Sequence, residues 1–375
     1  MSGDGGERLR QVRAEHVEAI ARGGAFLATG GGGDTLIGEI LAERALDGVG
    51  AVDLLPLEEL DDDALVVAIG SVGSPTIMQE KPGNGREAGW ALDALEAFLG
   101  RRTTALIAFE AGGVNALVPF VAAAERGLPV VDADGMGRAF PELQMESFSI
   151  YGISATPLAV ASELGDRVVL DHVRDPLITE HLVRQFSVVA GGGQCLSAEH
   201  CMSGAQAKEV TIPSTISLCH QIGELIGRFG NRLEPFVDAL RDLLAPTHYG
   251  EVHVLTTGKV TDIERRVEGG YDFATLQVQP FAGGVPVQVG IKNEYLLATA
   301  GERVLATTPD LICALDLETG LPITAETLRY GQRLQLLAIG APARMRTAKA
   351  LEFVAPRNFG FDQVYVPIET LAANR

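Results

Sequence analysis

The chain has few basic residues and no long apolar run, and each shortage excludes a class of protein. Its 375 residues include 30 Lys and Arg against 49 Asp and Glu, a formal net charge of −19. Nucleic-acid binding needs clustered Lys and Arg, so no nucleic-acid partner is expected. A membrane-spanning helix needs about 18 or more consecutive apolar residues, and since no such run occurs, no membrane partner is expected.

Cysteines are also few, and they do not suggest disulfides. The four are Cys195, Cys201, Cys219 and Cys313. In a chain of this length they are more typical of free thiols, metal ligands or nucleophiles than of a disulfide framework. Residues 1–7 lack the basic and apolar regions of a signal peptide. We therefore expect a soluble, cytoplasmic protein, and we expect it to form a homo-oligomer.

Short apolar segments alternate with helical patterns in the first part of the chain. Strands are predicted at 25–29, 49–55, 65–69, 105–109 and 129–131, and helices at 8–22, 35–46, 88–99 and 115–126. This alternation predicts an α/β domain over residues 1–165 with a mostly parallel sheet. Residues 166–375 are predicted to form a second domain, which is β-rich after about residue 250 because apolar and polar residues alternate there.

Four polar or glycine-rich loops follow predicted strands of the first domain, at 30–34, 71–81, 110–115 and 132–142. The carboxyl ends of parallel strands lie at one sheet edge, where ligands bind, so these loops are predicted to line a pocket. Their glycines allow backbone N–H groups to approach a ligand closely, although 30–34 could also be only a tight turn. The predicted substrate-binding residues are Gly31, Gly32, Gly33, Asp34, Gly112, Gly113, Asn115 and Arg138.

Segment 132–142 concentrates three carboxylates and an arginine directly after a buried strand. Asp132 and Asp134, with Glu110 at the end of the neighbouring strand, are candidate catalytic residues. Carboxylates crowded in a cleft can have one pKa raised, which suits a general acid or base. The alternative is an internal salt-bridge network that holds the loop in place.

Cysteine and histidine cluster in the second domain. The candidate zinc ligands are Cys195, His200, Cys201 and His220. Thiolate and imidazole suit zinc, and three such ligands with a water form a catalytic arrangement, although the spacing fits no standard zinc motif. Cys201 is also a candidate catalytic nucleophile. The alternative is structural cysteines in the core and a hydrogen-bonded histidine.

A predicted helix at 214–229 places His220, Gly223 and Gly227 on one stripe. Glycines in such a stripe carry no side chain to hold a neighbour away. We therefore predict that another element approaches this helix closely along the stripe.

Seven segments of the chain resemble a two-domain family named for S-methyl thiohydantoin desulfurase. They are 28–34, 80–82, 110–115, 132–142, 202–204, 212–218 and 301–312. The resemblance covers nearly the whole chain and is most specific at 132–142. It implies an α/β N-terminal domain, a β-rich C-terminal domain and hydrolytic removal of methanethiol from a cyclic isothiourea. Family members often carry a tyrosine–proline pair where this chain has His200 and Cys201, a departure that would fit a metal-using subgroup.

Residues and resemblance together predict a hydrolase of a small heterocycle, such as S-methyl thiohydantoin, that releases hydantoin and methanethiol. Zinc-activated water or a Cys201 nucleophile would attack the ring carbon, and a carboxylate would transfer the proton. One alternative is a non-catalytic subunit that binds a metabolite or nucleotide. Another is a subunit of an ATP-dependent hydantoinase or oxoprolinase, which the lack of a recognisable phosphate-binding loop disfavours.

Overall fold

A computed structural model describes residues 8–33, 35–73, 81, 83–190, 194–268 and 271–374. Nine strands of this described part form the first sheet: β1 Gln11–Val12, β2 Val52–Leu55, β3 Leu65–Gly73, β4 Ala105–Ala108, β5 Val130–Asp134, β6 Leu158–Ala161, β7 Arg167–Leu170, β8 Gln194–Ser203 and β9 Ile212–Pro213. The strand order is β1-β2-β5-β4-β3-β8-β6-β7, with β9 beside β5.

The four central strands of this sheet, β2, β5, β4 and β3, run parallel. All four residues of β4 are buried, as expected of an apolar strand covered on both faces. The predicted α/β domain is therefore confirmed, as a mixed sheet whose central strands are parallel and whose outer strands pair antiparallel. Strand β8 lies beyond residue 165 in the chain, yet it pairs antiparallel with β3 and so belongs to the first sheet.

The α-helices of the described residues are α1 Ala14–Leu27, α2 Leu36–Val49, α3 Glu87–Leu99, α4 Val118–Arg126, α5 Ser147–Ile150, α6 Pro176–Val189, α7 Gly204–Val210, α8 Thr215–Phe229, α9 Leu233–Leu244, α10 Ala348–Val354 and α11 Ile368–Ala373. None of them is long and apolar enough to cross a membrane. The strand predicted at 25–29 is wrong, because α1 continues to Leu27 and buries Phe26 and Leu27 on its apolar face. A short apolar run fits a buried helix as well as a strand.

Helices α1 and α8 cross with their backbones almost in contact. A Cβ atom added to Gly223 would overlap the backbone of Ala19, and one added to Gly23 would overlap the backbone of Cys219. The close approach predicted along the glycine stripe of the 214–229 helix is thereby confirmed.

The second sheet is antiparallel throughout its described strands: β10 Val252–Glu268, β11 Tyr271–Pro280, β12 Val287–Lys292, β13 Glu294–Ala300, β14 Arg303–Thr307, β15 Leu311–Asp316 and β16 Arg333–Ile339. The β-rich region predicted after residue 250 is confirmed. This sheet meets the loop after α1, where Tyr295 N donates to Thr29 O at 2.7 Å and Ala325 N donates to Gly30 O at 2.8 Å.

Candidate functional site

A cavity lies where strands β3 and β4 of the first sheet end, and the start of β13 in the second sheet closes one side of it. It is partly open to solvent. Six glutamates and one arginine are among the described residues that line it: Glu110, Glu142, Glu146, Glu180, Glu199, Glu294 and Arg184.

Two of the six glutamates have cationic partners. Arg184 Nε donates to Glu180 Oε1 at 2.6 Å, and Lys292 Nζ donates to Glu142 Oε1 at 2.5 Å. In the described part of the chain, no lysine or arginine forms an ion pair with the other four, which are Glu110, Glu146, Glu199 and Glu294. A buried carboxylate is stable only when it is protonated or lies beside a cation. These four glutamates therefore suit either bound protons or a bound cation.

Glu110 is the predicted catalytic residue that lines the cavity. Its Oε1 accepts a hydrogen bond from Asn115 Nδ2 at 2.9 Å, and its Oε2 accepts one from Phe140 N at 3.1 Å. Asn115, which also lines the cavity, accepts from Ser71 N at 2.7 Å through Oδ1 and is thus fixed in orientation. Burial raises the pKa of Glu110 to about 8, so this carboxyl is mainly protonated at neutral pH.

Asp132 and Asp134 do not line the cavity. Asp132 accepts hydrogen bonds from Ser217 N at 3.0 Å and Ser217 Oγ at 2.6 Å, at the start of α8. Asp134 Oδ2 accepts from Ala111 N at 2.7 Å and Gly137 N at 2.9 Å, and burial raises its pKa to about 7. Asp134 thus ties the loop that carries Glu110 to the 132–142 segment, whereas Asp132 ties β5 to α8, and both roles are closer to the internal-network alternative.

Arg138 is buried and joins the two domains instead of facing the cavity. It donates to Thr29 Oγ1 at 2.6 Å, to Tyr295 O at 3.1 Å and to Asp310 O at 2.9 Å. Its guanidinium donors therefore bond to protein oxygens, and Arg138 is not among the residues that line the cavity.

The glycine loops pack against each other and against the second domain. Gly32 lines the cavity, and a Cβ added to it would lie 2.8 Å from Gly113 Cα. A Cβ on Gly31 would overlap the Glu294 side chain, so this glycine makes room for a cavity glutamate. Gly31, Gly33, Gly112 and Gly113 are not among the lining residues. Asp34, like residues 74–80 and Pro82, lies outside the described residues.

The predicted zinc ligands are not brought together. No three of them place ligand atoms within 4.8 Å of one another. His220, on α8, packs edge-on against His16 with ring centroids 5.3 Å apart. Cys195 and Cys201 lie on β8. Cys201 Sγ is 3.7 Å from Pro157 O, and burial raises its pKa to about 11, opposite to the lowered pKa of a nucleophilic thiol.

His200 instead meets two glutamates that carry no motif in the sequence. Its Nδ1 lies 3.4 Å from Glu146 Oε2 and 3.2 Å from Glu199 Oε1. The three residues are the one group of His, Cys, Asp or Glu side chains in the described ranges spaced as metal ligands. Glu146 is distant in sequence from the other two, so only the fold reveals the group.

An α/β domain joined to an antiparallel β domain across an acidic cavity defines the architectural class of this protein. Its residues 15–172 match the model of the S-Me-THD-like N-terminal domain, and residues 174–368 match that of the S-Me-THD-like C-terminal domain. The chain therefore belongs to the S-Me-THD-like family, which confirms the resemblance to S-methyl thiohydantoin desulfurase-like proteins seen in its sequence.

A solved structure shares this fold. The crystal structure of a protein from Chromobacterium violaceum superposes with a TM-score of 0.80 at 23% sequence identity, covering 96% of this chain and 100% of that chain. Comparison with curated proteins gives no match.

Proposed function

We propose that this protein is a hydrolase that removes the methylthio group from a small five-membered heterocycle of the S-methyl thiohydantoin type, releasing methanethiol and leaving hydantoin. Membership of the S-Me-THD-like family supports the substrate class. The observation that carries the proposal is Glu110, a carboxyl that lines a small cavity and holds its proton at neutral pH.

The reaction needs an acid beside the ring. Glu110 gives its proton to the ring nitrogen, which makes the adjoining C=N carbon more electrophilic. Water adds to that carbon, forms the new C–O bond and returns a proton to Glu110. The C–S bond then breaks, the added oxygen becomes the carbonyl, and its remaining proton leaves with methanethiolate as methanethiol.

Glu110→Gln tests this role, because glutamine keeps the size of the side chain and cannot supply the proton. We expect kcat for methanethiol release, followed with a thiol reagent, to fall by about 100-fold or more. Asp132→Asn is the matched control, since that buried carboxylate bonds to Ser217 and does not line the cavity. Its kcat should stay close to that of the wild type.

Two results would contradict the proposal. Glu110→Gln with wild-type turnover would remove the acid from the mechanism. Tight binding of S-methyl thiohydantoin by the wild type, with no methanethiol formed, would instead favour a binding protein that consumes nothing.

A further inference from the structure

We propose that Glu146, Glu199 and His200 bind a divalent transition-metal ion in the wall of the acidic cavity. All three side chains are buried. The site differs from the cysteine–histidine set predicted from the sequence and shares only His200 with it. Metal binding here does not depend on the reaction proposed above.

The backbone of β8 is distorted at the place where this group forms. Between Val66 and Ala68 strand β3 advances two residues, whereas β8 advances three between Glu199 and Met202. The extra residue makes a β-bulge, and His200 adopts a φ of +46°. Neighbouring side chains of a regular strand point to opposite faces, but here Glu199 and His200 meet. Such bulges re-aim side chains and are common beside functional sites.

Three ligand atoms converge without any hydrogen-bond partner: Glu146 Oε2, Glu199 Oε1 and His200 Nδ1. Zinc-type ligands held at about 2.0 to 2.2 Å in a tetrahedron lie about 3.3 to 3.6 Å from one another. The separations of 3.4 and 3.2 Å from His200 Nδ1 to the two carboxylate oxygens are close to that spacing. Unpaired polar atoms are costly to bury, and one cation would satisfy all three.

The second polar atoms of His200 and Glu199 have hydrogen-bond partners, as the ligands of a metal centre usually do. His200 Nε2 is 2.9 Å from Ser149 Oγ, and Ser197 Oγ donates to Glu199 Oε2 at 2.5 Å. A ligating histidine usually uses its second ring nitrogen in this way, which sets the tautomer and the orientation of the ring.

The ligand types indicate which class of ion would bind. One imidazole with two carboxylates suits first-row divalent ions such as Zn²⁺, Co²⁺, Mn²⁺ or Fe²⁺. Glu146 and Glu199 both line the cavity, so an ion bound to them would face it. Three protein ligands leave at least one coordination position for water or for a ligand in the cavity.

The experiment is a titration of the chelator-treated full-length protein with Co²⁺ alone, read by visible absorption and by calorimetry. We expect one equivalent to bind, with d–d absorption bands. His200→Ala and Glu146→Gln should each weaken Co²⁺ binding by more than about 100-fold, since each removes a direct ligand. His220→Ala is the matched control, because that histidine packs against His16 away from the group. It should bind Co²⁺ as the wild type does.

Binding of much less than one equivalent by folded wild-type protein would overturn the proposal, whether or not the variants fold. Unchanged Co²⁺ affinity in folded His200→Ala would also overturn it. Loss of binding in folded His220→Ala would do so too and would return the site to the cysteine–histidine set. No readout here uses turnover, so failure of the metal site and failure of the proposed hydrolysis can be told apart.

Discussion

Glu110 derives its chemistry from its surroundings. Burial raises its pKa, and two accepted hydrogen bonds from Asn115 and Phe140 lower it, leaving a value of about 8. The acid form is therefore present below about pH 8 and is lost above it. We expect kcat/KM for methanethiol release to decline as the pH rises through about 8, because the proton donor disappears.

A pH profile of kcat/KM measures this dependence, since kcat/KM reports groups of the free enzyme. In Glu110→Gln the residual rate should lack that decline, because the titrating group is gone. A wild-type profile that stays level through about pH 8 would contradict the assignment of Glu110 as the acid.

At single positions the sequence predicted part of the cavity. Glu110, Asn115 and Gly32 were identified from their loops, and all three line it. Asp132 and Arg138 carry equally prominent charges, but they bond to Ser217 and to carbonyl groups of the second domain. Clustered charged residues after a strand indicate that each needs a partner of opposite charge or a hydrogen bond. The sequence does not show whether that partner is a bound ligand or another part of the protein.

Glu146, Glu199 and Glu294 were missed for a different reason. Glu146 and Glu294 carry no motif in the sequence, Glu199 adjoins His200 without standing out as a ligand, and the three come from separate parts of the fold. Their meeting depends on the bulge at His200 and on the docking of β13 beside the glycine loop. No spacing rule along the chain encodes either contact.

Among the elements, the contact between the two glycine loops is what brings Gly32 to the cavity. Val114 N donates to Gly32 O at 3.0 Å, and Gly32 has a φ of +69°. Alanine at 32 would be strained at that φ and would place its Cβ 2.8 Å from Gly113 Cα. We expect Gly32→Ala to lower the free energy of unfolding by more than about 1 kcal/mol.

Chemical denaturation measures this change, and Gly48→Ala is its matched control. Gly48 lies within α2, and a Cβ there would meet nothing within 4 Å. Alanine should stabilise that helix by up to about 1 kcal/mol. Equal changes in the free energy of unfolding for Gly32→Ala and Gly48→Ala would mean that the contact between the two glycine loops does not require glycine at position 32.

Helices α1 and α8 show which element-level predictions can succeed. The stripe of Gly223 and Gly227 follows from helical periodicity, and the structure places α1 against it. The 25–29 segment failed because a short apolar run without alternation is compatible with either a strand or a buried helix. Burial decides for the helix, with the Phe26 ring edge-on against Phe236 of α9, and that is tertiary information.

In the whole molecule, the second sheet closes one side of the cavity at the carboxyl edge of the first sheet. The sequence predicted both sheets, yet strand β8 crosses from the second half of the chain into the first sheet. Pairing between distant strands is set by the complete fold, so linear order alone could not place it.

Arg138 is the residue that most directly connects these two halves. From the first domain it reaches Tyr295 O and Asp310 O of the second and also bonds to Thr29 Oγ1. A lysine keeps the charge, but its single ammonium group cannot reach all the oxygen acceptors that the planar guanidinium fork serves. We expect Arg138→Lys to lower the free energy of unfolding by about 2 to 4 kcal/mol, because buried oxygens lose their donors.

Denaturation followed by two probes tests both the size of this effect and its location. Trp90, the one tryptophan of the chain, lies on α3 in the first domain, whereas far-ultraviolet circular dichroism reports both domains. If Arg138 couples the domains, the two transitions should coincide in the wild type and separate in Arg138→Lys. Arg232→Lys, at an exposed arginine that bonds to the Arg228 and Phe229 carbonyls at the end of α8, should change stability by less than about 0.5 kcal/mol. Coincident transitions with little loss of stability in Arg138→Lys would show that the other contacts between the two domains suffice to couple them.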